Sequence, residues 1–325
     1  MRGLESSKSS SWFETSVGNS LANISVVIST YSKDRLRYLL DCIASLKKQS
    51  LRPDEIILVL DPYPDLVEFY ESRLLEDVRV VTSQKRGLSN ARNAGVRSAK
   101  GEIVAFIDDD AVADENWLEN LVKDYEDTNV VGVGGLINPL WEDGRPEWFP
   151  EELNWIVGCS YKGLPECKAS VRNPIGCNMA FRKTVFEKVG YFRSDIGRFG
   201  KRLLASEETE LSMRILEKIS NSKIIYEPSA VVYHRVDKSR ANLKYLWKRS
   251  FYEGVSKALI ISSKKNPSTA LSTEDRYLKY LLRVAIPLRL KRIYKFENLC
   301  QLIILLFSLS AVFMGFSVGR FESGE

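Results

Sequence analysis

The sequence predicts an α/β domain built on a parallel sheet, extended by C-terminal helices of which the last is a transmembrane helix. Three observations carry that expectation. Short β-branched runs alternate with helical stretches through the N-terminal third, the pattern of a parallel sheet covered on both faces. The fourth run ends in "FIDDDA", with consecutive carboxylates at Asp108, Asp109 and Asp110. Residues 298–319 contain no charged side chain, and roughly 20 apolar residues are what a bilayer core demands of a helix.

The strands expected first are Ile24–Ser29, Glu55–Leu60, Val78–Thr82 and Glu102–Ile107, apolar nearly throughout rather than alternating. Helices are expected between them over Leu36–Gln49, Asp65–Leu75 and Leu88–Ala99. Beyond the carboxylates, Glu115–Glu126 reads as a helix and Val130–Gly135 as another strand. The aromatic stretch Asn138–Gly158 carries Trp141, Trp148, Phe149 and Trp155, either core or a sugar-stacking or lipid-facing surface. Then come "GCNMAFRK" (Gly176–Lys183), a helix over Ser206–Ile219 and a strand over Ala230–His234. An amphipathic helix is expected from Ser239 onward. Basic and apolar residues alternate over Leu282–Lys295, which fits a membrane surface better than a nucleic-acid groove. The Ser-rich residues 1–21 lack the apolar core of a signal peptide and read as a flexible leader. The expected organisation is leader 1–21, catalytic domain 22–236, amphipathic membrane-proximal region 237–297 and anchor 298–319. Basic residues precede the anchor and only Arg320 follows it, so the large N-terminal part is expected on the cytoplasmic face of the cell membrane.

The 325 residues carry 47 basic and 42 acidic side chains, a balance that gives no argument for a nucleic-acid partner. Five cysteines without a C-x-x-C pair argue against a disulfide framework or a zinc site.

Adjacent carboxylates repel when desolvated, so the Asp run is either a solvated turn or the seat of a divalent cation shared with a phosphate-bearing ligand. In parallel sheets ligands sit outside the carboxyl ends of the strands. The other strand ends, "STYSKDR", "LDPYPD" and "SQKRGLSNARNAG", are polar and converge on the same crevice. Glu207 and Glu208 in "SEETEL" are either first-turn decoration behind a Ser206 cap or a general base. His234 is the only histidine, structural or a ligand.

Together these motifs resemble the family 2 glycosyltransferases, over residues 24–236. The combination of "GLSNARNAG", "FIDDDA", "NPIGCNMAFR", "SEETELSMRI" and "VVYHRV" followed by "SFYEGVSKA" is most similar to the archaeal glucosyl-dolichyl phosphate glucuronosyltransferase group. The resemblance implies a GT-A fold, the Rossmann-like nucleotide-diphospho-sugar transferase architecture, and an inverting, metal-dependent sugar transfer in protein glycosylation. It implies a UDP-sugar donor, UDP-glucuronate in this group, and a dolichyl phosphate-linked acceptor, glucosyl-dolichyl phosphate. It assigns Thr30, Tyr31, Arg35 and Asp61 to the nucleotide base, and Gly87, Asn90 and Arg92 to the same pocket. Asp108 and Asp110 match the family's Asp-x-Asp motif, Asp108 nearer the ribose and Asp110 on Mg²⁺ or Mn²⁺; Asp109 joins the nucleotide set without an assigned role. Glu208 stands at the position of the base, with Glu207 in contention because the family's usual Glu-Asp is Glu-Glu here. His234 matches a late histidine on the metal or diphosphate. Gly176, Asn178 and Trp155 are placed beside sugar or acceptor, and Arg172, Arg182 or Arg202 would meet a donor carboxylate. A phosphatase using Asp-x-Asp would carry the pair after its first strand. A processive polysaccharide synthase would carry Gln-x-x-Arg-Trp, which is absent. A sensor that binds nucleotide sugar without turnover is the alternative outside catalysis.

Overall fold

In a computed structural model of the chain, the described residues are 23–73, 77–195, 206–262 and 271–322; the expected leader and Arg202 lie outside them. The predicted strands form as β1 (Ile24–Thr30), β2 (Glu55–Leu60), β3 (Val78–Thr82) and β4 (Ile103–Asp108), all parallel, in the order β3-β2-β1-β4. Their continuous apolarity has the expected cause. Val26 and Ile28 of β1 enter the core on one side of the sheet, and Val27 enters the core on the other with Ile57, Val59 and Phe106. The helices α1 (Leu36–Lys47), α2 (Pro64–Glu71) and α3 (Leu88–Ser98) connect these strands.

The sheet is not parallel throughout. After β4 it continues with β8 (Asn178–Arg182), antiparallel to β4, then β6 (Val130–Trp141) and β9 (Lys223–Val236), which are parallel to each other; the short β5 (Ala111–Ala113) runs antiparallel to β9. A further two-residue strand, β7 (Ala169–Ser170), also pairs with β9. The β5–β9 register sets Ala111 opposite His234, and the Arg235 N–H donates to the Asp110 carbonyl at 3.0 Å. That register brings a histidine 124 positions away in sequence against the carboxylates at the end of β4 (234 less 110).

The helix expected over Glu115–Glu126 is split into α4 (Trp117–Val122) and a 3-10 turn. Next come α5 (Lys183–Val189), α6 (Glu207–Lys218) and the long α7 (Leu243–Ser262). The last helix, Phe296–Glu322, is apolar and long enough to cross a membrane, with 39% of its most apolar stretch buried inside the structure. It is not a free-standing anchor. It packs parallel to α7 through small residues: Ser250 and Ser308 hydroxyls meet at 2.9 Å, and a Cβ on Gly315 would lie 1.9 Å from the Phe251 carbonyl oxygen. Its opposite face leaves Ile303, Leu306, Phe313, Met314 and Phe321 exposed.

The segment before it is inside out for a soluble protein. Arg289 is buried on Glu152, its Nη1 and Nη2 at 3.0 and 2.7 Å from the carboxylate, while Gln301 accepts from the same guanidinium. Leu282, Val284, Leu288, Leu290, Ile293 and Tyr294 face outward. Exposed apolar surface on this scale marks a contact with another phase or molecule.

Candidate active site

The three consecutive carboxylates have different surroundings. Asp109 is buried and accepts from Arg35 Nε at 2.8 and 2.9 Å, with a further ion pair to Arg35 Nη2 at 2.7 Å. Its oxygens are engaged by Arg35, itself one of the residues assigned to the nucleotide. Asp110 pairs with Arg35 at 2.5 Å, Arg240 at 3.4 Å and His234 Nε2 at 3.3 Å. Burial works against its charge, but His234 foremost, then Arg35 and Arg240, hold it well below the usual carboxylate range. Asp108 is only half-buried, 3.6 Å from Arg92 and 4.0 Å from His234 Nε2.

His234 is fully enclosed, with its ring against Gly158 and Nδ1 3.8 Å from the Cys159 sulfur. Burial opposes its protonation, yet the Asp110 carboxylate raises it to about 10. Asp108, Cys177 and His234 bring one ligand atom each within 4.8 Å of one another. Neighbouring ligands of an octahedral Mg²⁺ or Mn²⁺ stand roughly 3 Å apart for bonds of about 2.1 Å. The Asp110–His234 separation matches that spacing, and Asp108 is within a small rotation of it. Cys177 offers a soft sulfur that suits neither ion, and His234 would serve as a ligand once the cation displaces its proton.

At the other strand ends, Tyr31 is exposed with its ring 5.3 Å from the Arg35 guanidinium, and Thr30 is buried. Asp61 accepts the Gly87 N–H at 3.1 Å; Gly87 sits at φ 106°, a conformation glycine adopts without strain, at the entry to α3. Asn90 spends its amide on the Arg86 carbonyl at 2.8 Å. Arg92 turns away from the nucleotide end. It is buried, donating to Glu207 at 2.7 Å and to the Gly176 carbonyl at 3.0 Å. A Cβ on Gly176 would stand 2.8 Å from that guanidinium, which is the physical reason for glycine there.

Glu207 and Glu208 open α6, where the helix dipole favours negative charge. Ser206 makes no capping hydrogen bond; it takes a left-handed conformation at φ 86° instead, which redirects the chain into the helix. Glu207 is buried on Arg92, whereas Glu208 is half-buried on the cavity wall. Burial, then the like charge of Glu207, push Glu208 up to about 7.

That cavity, about 390 Å³, is bordered by Asp108, His234 and Glu208. Gly176 and Trp155 also line it, as expected. Asn178 does not. It is wholly buried, accepting from Trp117 Nε1 at 2.8 Å and donating to the carbonyls of Leu136 and Ala230, so it locks β8 to β6 and β9 instead of meeting a sugar. Trp141, Trp148 and Phe149 pack edge-on or tilted against one another as core. Arg182 donates to the carbonyls of Val130 and Tyr125, which removes it from the donor-carboxylate candidates. Arg172 lines the cavity, paired with Glu274 at 2.5 Å. Sequence reasoning missed Arg240, the second cation on Asp110, and the α7 side chains Arg249, Glu253 and Lys257 on the cavity wall. The last three recur every fourth residue, one face of a helix, and that spacing was the available signal.

A doubly covered sheet with carboxylates, a histidine and a general-base candidate at its carboxyl edge defines a nucleotide-sugar transferase of the GT-A fold. The family model for glycosyl transferase family 2 matches residues 25–190, and the chain belongs to that family. It is 33% identical over 303 residues to the glucosyl-dolichyl phosphate glucuronosyltransferase of Haloferax volcanii, covering 91% of this chain and 96% of the relative. Succinoglycan biosynthesis protein ExoM of Rhizobium meliloti is 25% identical over 252 residues, 76% of this chain and 77% of its own. Among solved structures, the mannosyltransferase of Pyrobaculum calidifontis in complex with GDP-mannose and Mn²⁺ superposes with a TM-score of 0.59 at 18% identity, covering 94% of this chain and 88% of that one. The chain is therefore a glycosyltransferase.

Proposed function

We propose that this glycosyltransferase is inverting and metal-dependent, and that it moves glucuronic acid from UDP-glucuronate onto a lipid-linked acceptor of the glucosyl-dolichyl phosphate type. The observation that carries the reading is a single cavity lined both by Asp108, His234 and Glu208 and by Leu309 and Val312 of the apolar terminal helix. A carboxylate-bearing reaction centre that opens toward an apolar helix suits an acceptor whose sugar reacts while its hydrocarbon stays in lipid. The near full-length likeness to the Haloferax volcanii enzyme supports the same donor and acceptor.

Asp110, His234 and Asp108 would hold Mg²⁺ or Mn²⁺, which when bound supplies a Lewis acid for the departing diphosphate oxygen. Tyr31, Asp61 and Gly87 border the nucleotide end. Glu208 takes the proton from the attacking acceptor hydroxyl, and Arg92 holds Glu207 in place behind it. The outward apolar side chains of residues 282–294 and of the terminal helix, with Arg283, Lys291, Arg292 and Lys295 among them, meet the membrane, the catalytic domain on its cytoplasmic side.

The test is sugar transfer from a panel of UDP- and GDP-sugars to membrane lipid extract, with Mn²⁺ or Mg²⁺ and with chelator. Labelled lipid from UDP-glucuronate, lost on chelation and in Asp110→Ala, is expected. Label from a different donor would overturn the substrate, and a chelator-insensitive rate would overturn the metal. Nucleotide binding without turnover under any condition would favour the sensor reading.

A further inference from the structure

The face of α7 on the cavity carries a chain of buried charges. Arg249, Glu253 and Lys257 succeed one another at four-residue intervals. Arg249 Nη1 reaches Glu253 at 2.8 Å; Lys257 lies 3.1 Å from Glu253 and 2.7 Å from Glu274; and Glu274 accepts from Arg172. Among the described residues these pairs form one continuous chain of charges along the cavity wall. Arg249 is the cation of that chain with a donor left unused. Its side chain is 7% exposed and lines the cavity, its guanidinium lies 5.8 Å from the Trp155 ring, and its buried Nε has no hydrogen-bond partner. A buried guanidinium with an unused donor carries a desolvation penalty that an anion in the cavity would relieve.

Position says which part of a ligand would do so. The residue after Arg249 is Ser250, hydrogen-bonded to Ser308 of the terminal helix, and the next turns of that helix bring Leu309 and Val312 to the cavity. Glu208, for its part, is near enough to Arg249 to raise its proton affinity. Arg249 therefore shares the cavity with the proposed base and adjoins the apolar helix through Ser250. Arg92, the other buried cation of the cavity wall, is already engaged by Glu207, Asp108 and the Gly176 carbonyl.

We propose that Arg249, backed by Lys257, forms an anion subsite for the phosphodiester of a lipid-linked sugar acceptor. A phosphodiester is the anion that joins such an acceptor's sugar to its hydrocarbon, and Arg249 shares the cavity with Glu208 while its neighbour Ser250 holds the terminal helix. The proposal rests on the transferase reading above and deepens it by assigning the acceptor's charged group.

The experiment uses the full chain in detergent micelles with two acceptors of the same sugar: glucosyl-phosphoryl-farnesol, which has the phosphodiester, and octyl β-glucoside, which lacks it. For Arg249→Gln, KM for the phosphodiester acceptor should rise about 10- to 100-fold, the scale of a lost charge-assisted hydrogen bond, while the donor KM stays within about twofold and the neutral acceptor loses at least about tenfold less than the phosphodiester acceptor. Arg249→Lys, which keeps the charge and guards against misfolding, should recover part of the loss. Equilibrium titration of glucosyl-phosphoryl-farnesol without donor should show the same weakening. Equal losses for both acceptors would reduce Arg249 to a structural role and overturn the proposal. So would a rise in KM confined to UDP-glucuronate, which would make the subsite one for the donor carboxylate. Absence of turnover by the unmodified enzyme would sink the transferase reading; the donor-free titration still decides the subsite.

Discussion

If Glu208 is the base, its environment sets the pH at which the enzyme works. Burial and Glu207 push it from the ordinary 4.5 to about 7. A base must be ionised to accept the acceptor proton. With a pKa of about 7, roughly one molecule in eleven is competent at pH 6 and ten in eleven at pH 8, so kcat/KM should climb about tenfold over that interval. A base of ordinary pKa is already almost fully ionised at pH 6 and would give a flat profile. The two glutamates are separated by their variants. Glu208→Gln should cost about 10²- to 10⁴-fold in kcat across the whole range. Glu207→Gln removes the like charge and keeps Arg92, still held by Asp108 and the Gly176 carbonyl, beside Glu208, so the acid limb should move to lower pH with activity retained. The assay is initial-rate transfer from pH 5 to 9 at saturating metal. A flat profile for the unmodified enzyme, or a Glu208→Gln variant within about threefold of it, would refute the assignment.

The terminal helix supplies a test by sign. A free membrane helix should gain about 1 kcal/mol from Gly315→Ala through helix propensity. With the Phe251 carbonyl 1.9 Å from the new Cβ, the net effect should be a loss of about 1–3 kcal/mol, read as a lower Tm. Truncation after Lys295 should abolish folded, active protein because it uncovers α7 and removes a cavity wall; a soluble, fully active truncation would refute that packing. For the cation, Asp110→Asn should weaken Mn²⁺ binding at least about tenfold in a direct titration by electron paramagnetic resonance, and unchanged affinity would remove Asp110 from the ligand set. Asp109→Asn, which leaves the ligand atoms in place, should weaken Mn²⁺ as well, by the argument given last.

The parallel half of the sheet was legible because each strand is an uninterrupted apolar run whose alternate residues enter two cores. The antiparallel half was not, since β8, β6 and β9 are partnered across long sequence separations and nothing local in "GCNMAF" marks β4 as its neighbour. The same limit explains Asn178. An amide two residues after a glycine looks like a ligand group, and only the arrival of Trp117, Leu136 and Ala230 from elsewhere shows that it is a strand lock. Glu208 was legible from the helix start. The α7 charges were visible as a four-residue periodicity, but their meaning depends on the terminal helix lying behind them, which small residues such as Gly254 and Gly315 permit without naming their partner.

Asp109 resolves what the sequence posed as an excess of negative charge. Arg35 is shared: its Nε and Nη2 engage Asp109, and Nη2 also reaches Asp110. A cation taking Asp110 would leave Arg35 dependent on that one carboxylate were Asp109 absent, and stripping a buried guanidinium of its partner is strongly destabilising. With Asp109 buried against it, Arg35 stays paired whether Asp110 faces it or a metal. The middle carboxylate therefore lowers the cost of releasing the third. That is why Asp109→Asn should reduce metal affinity although it contributes no ligand atom: Arg35 would then compete with the cation for Asp110.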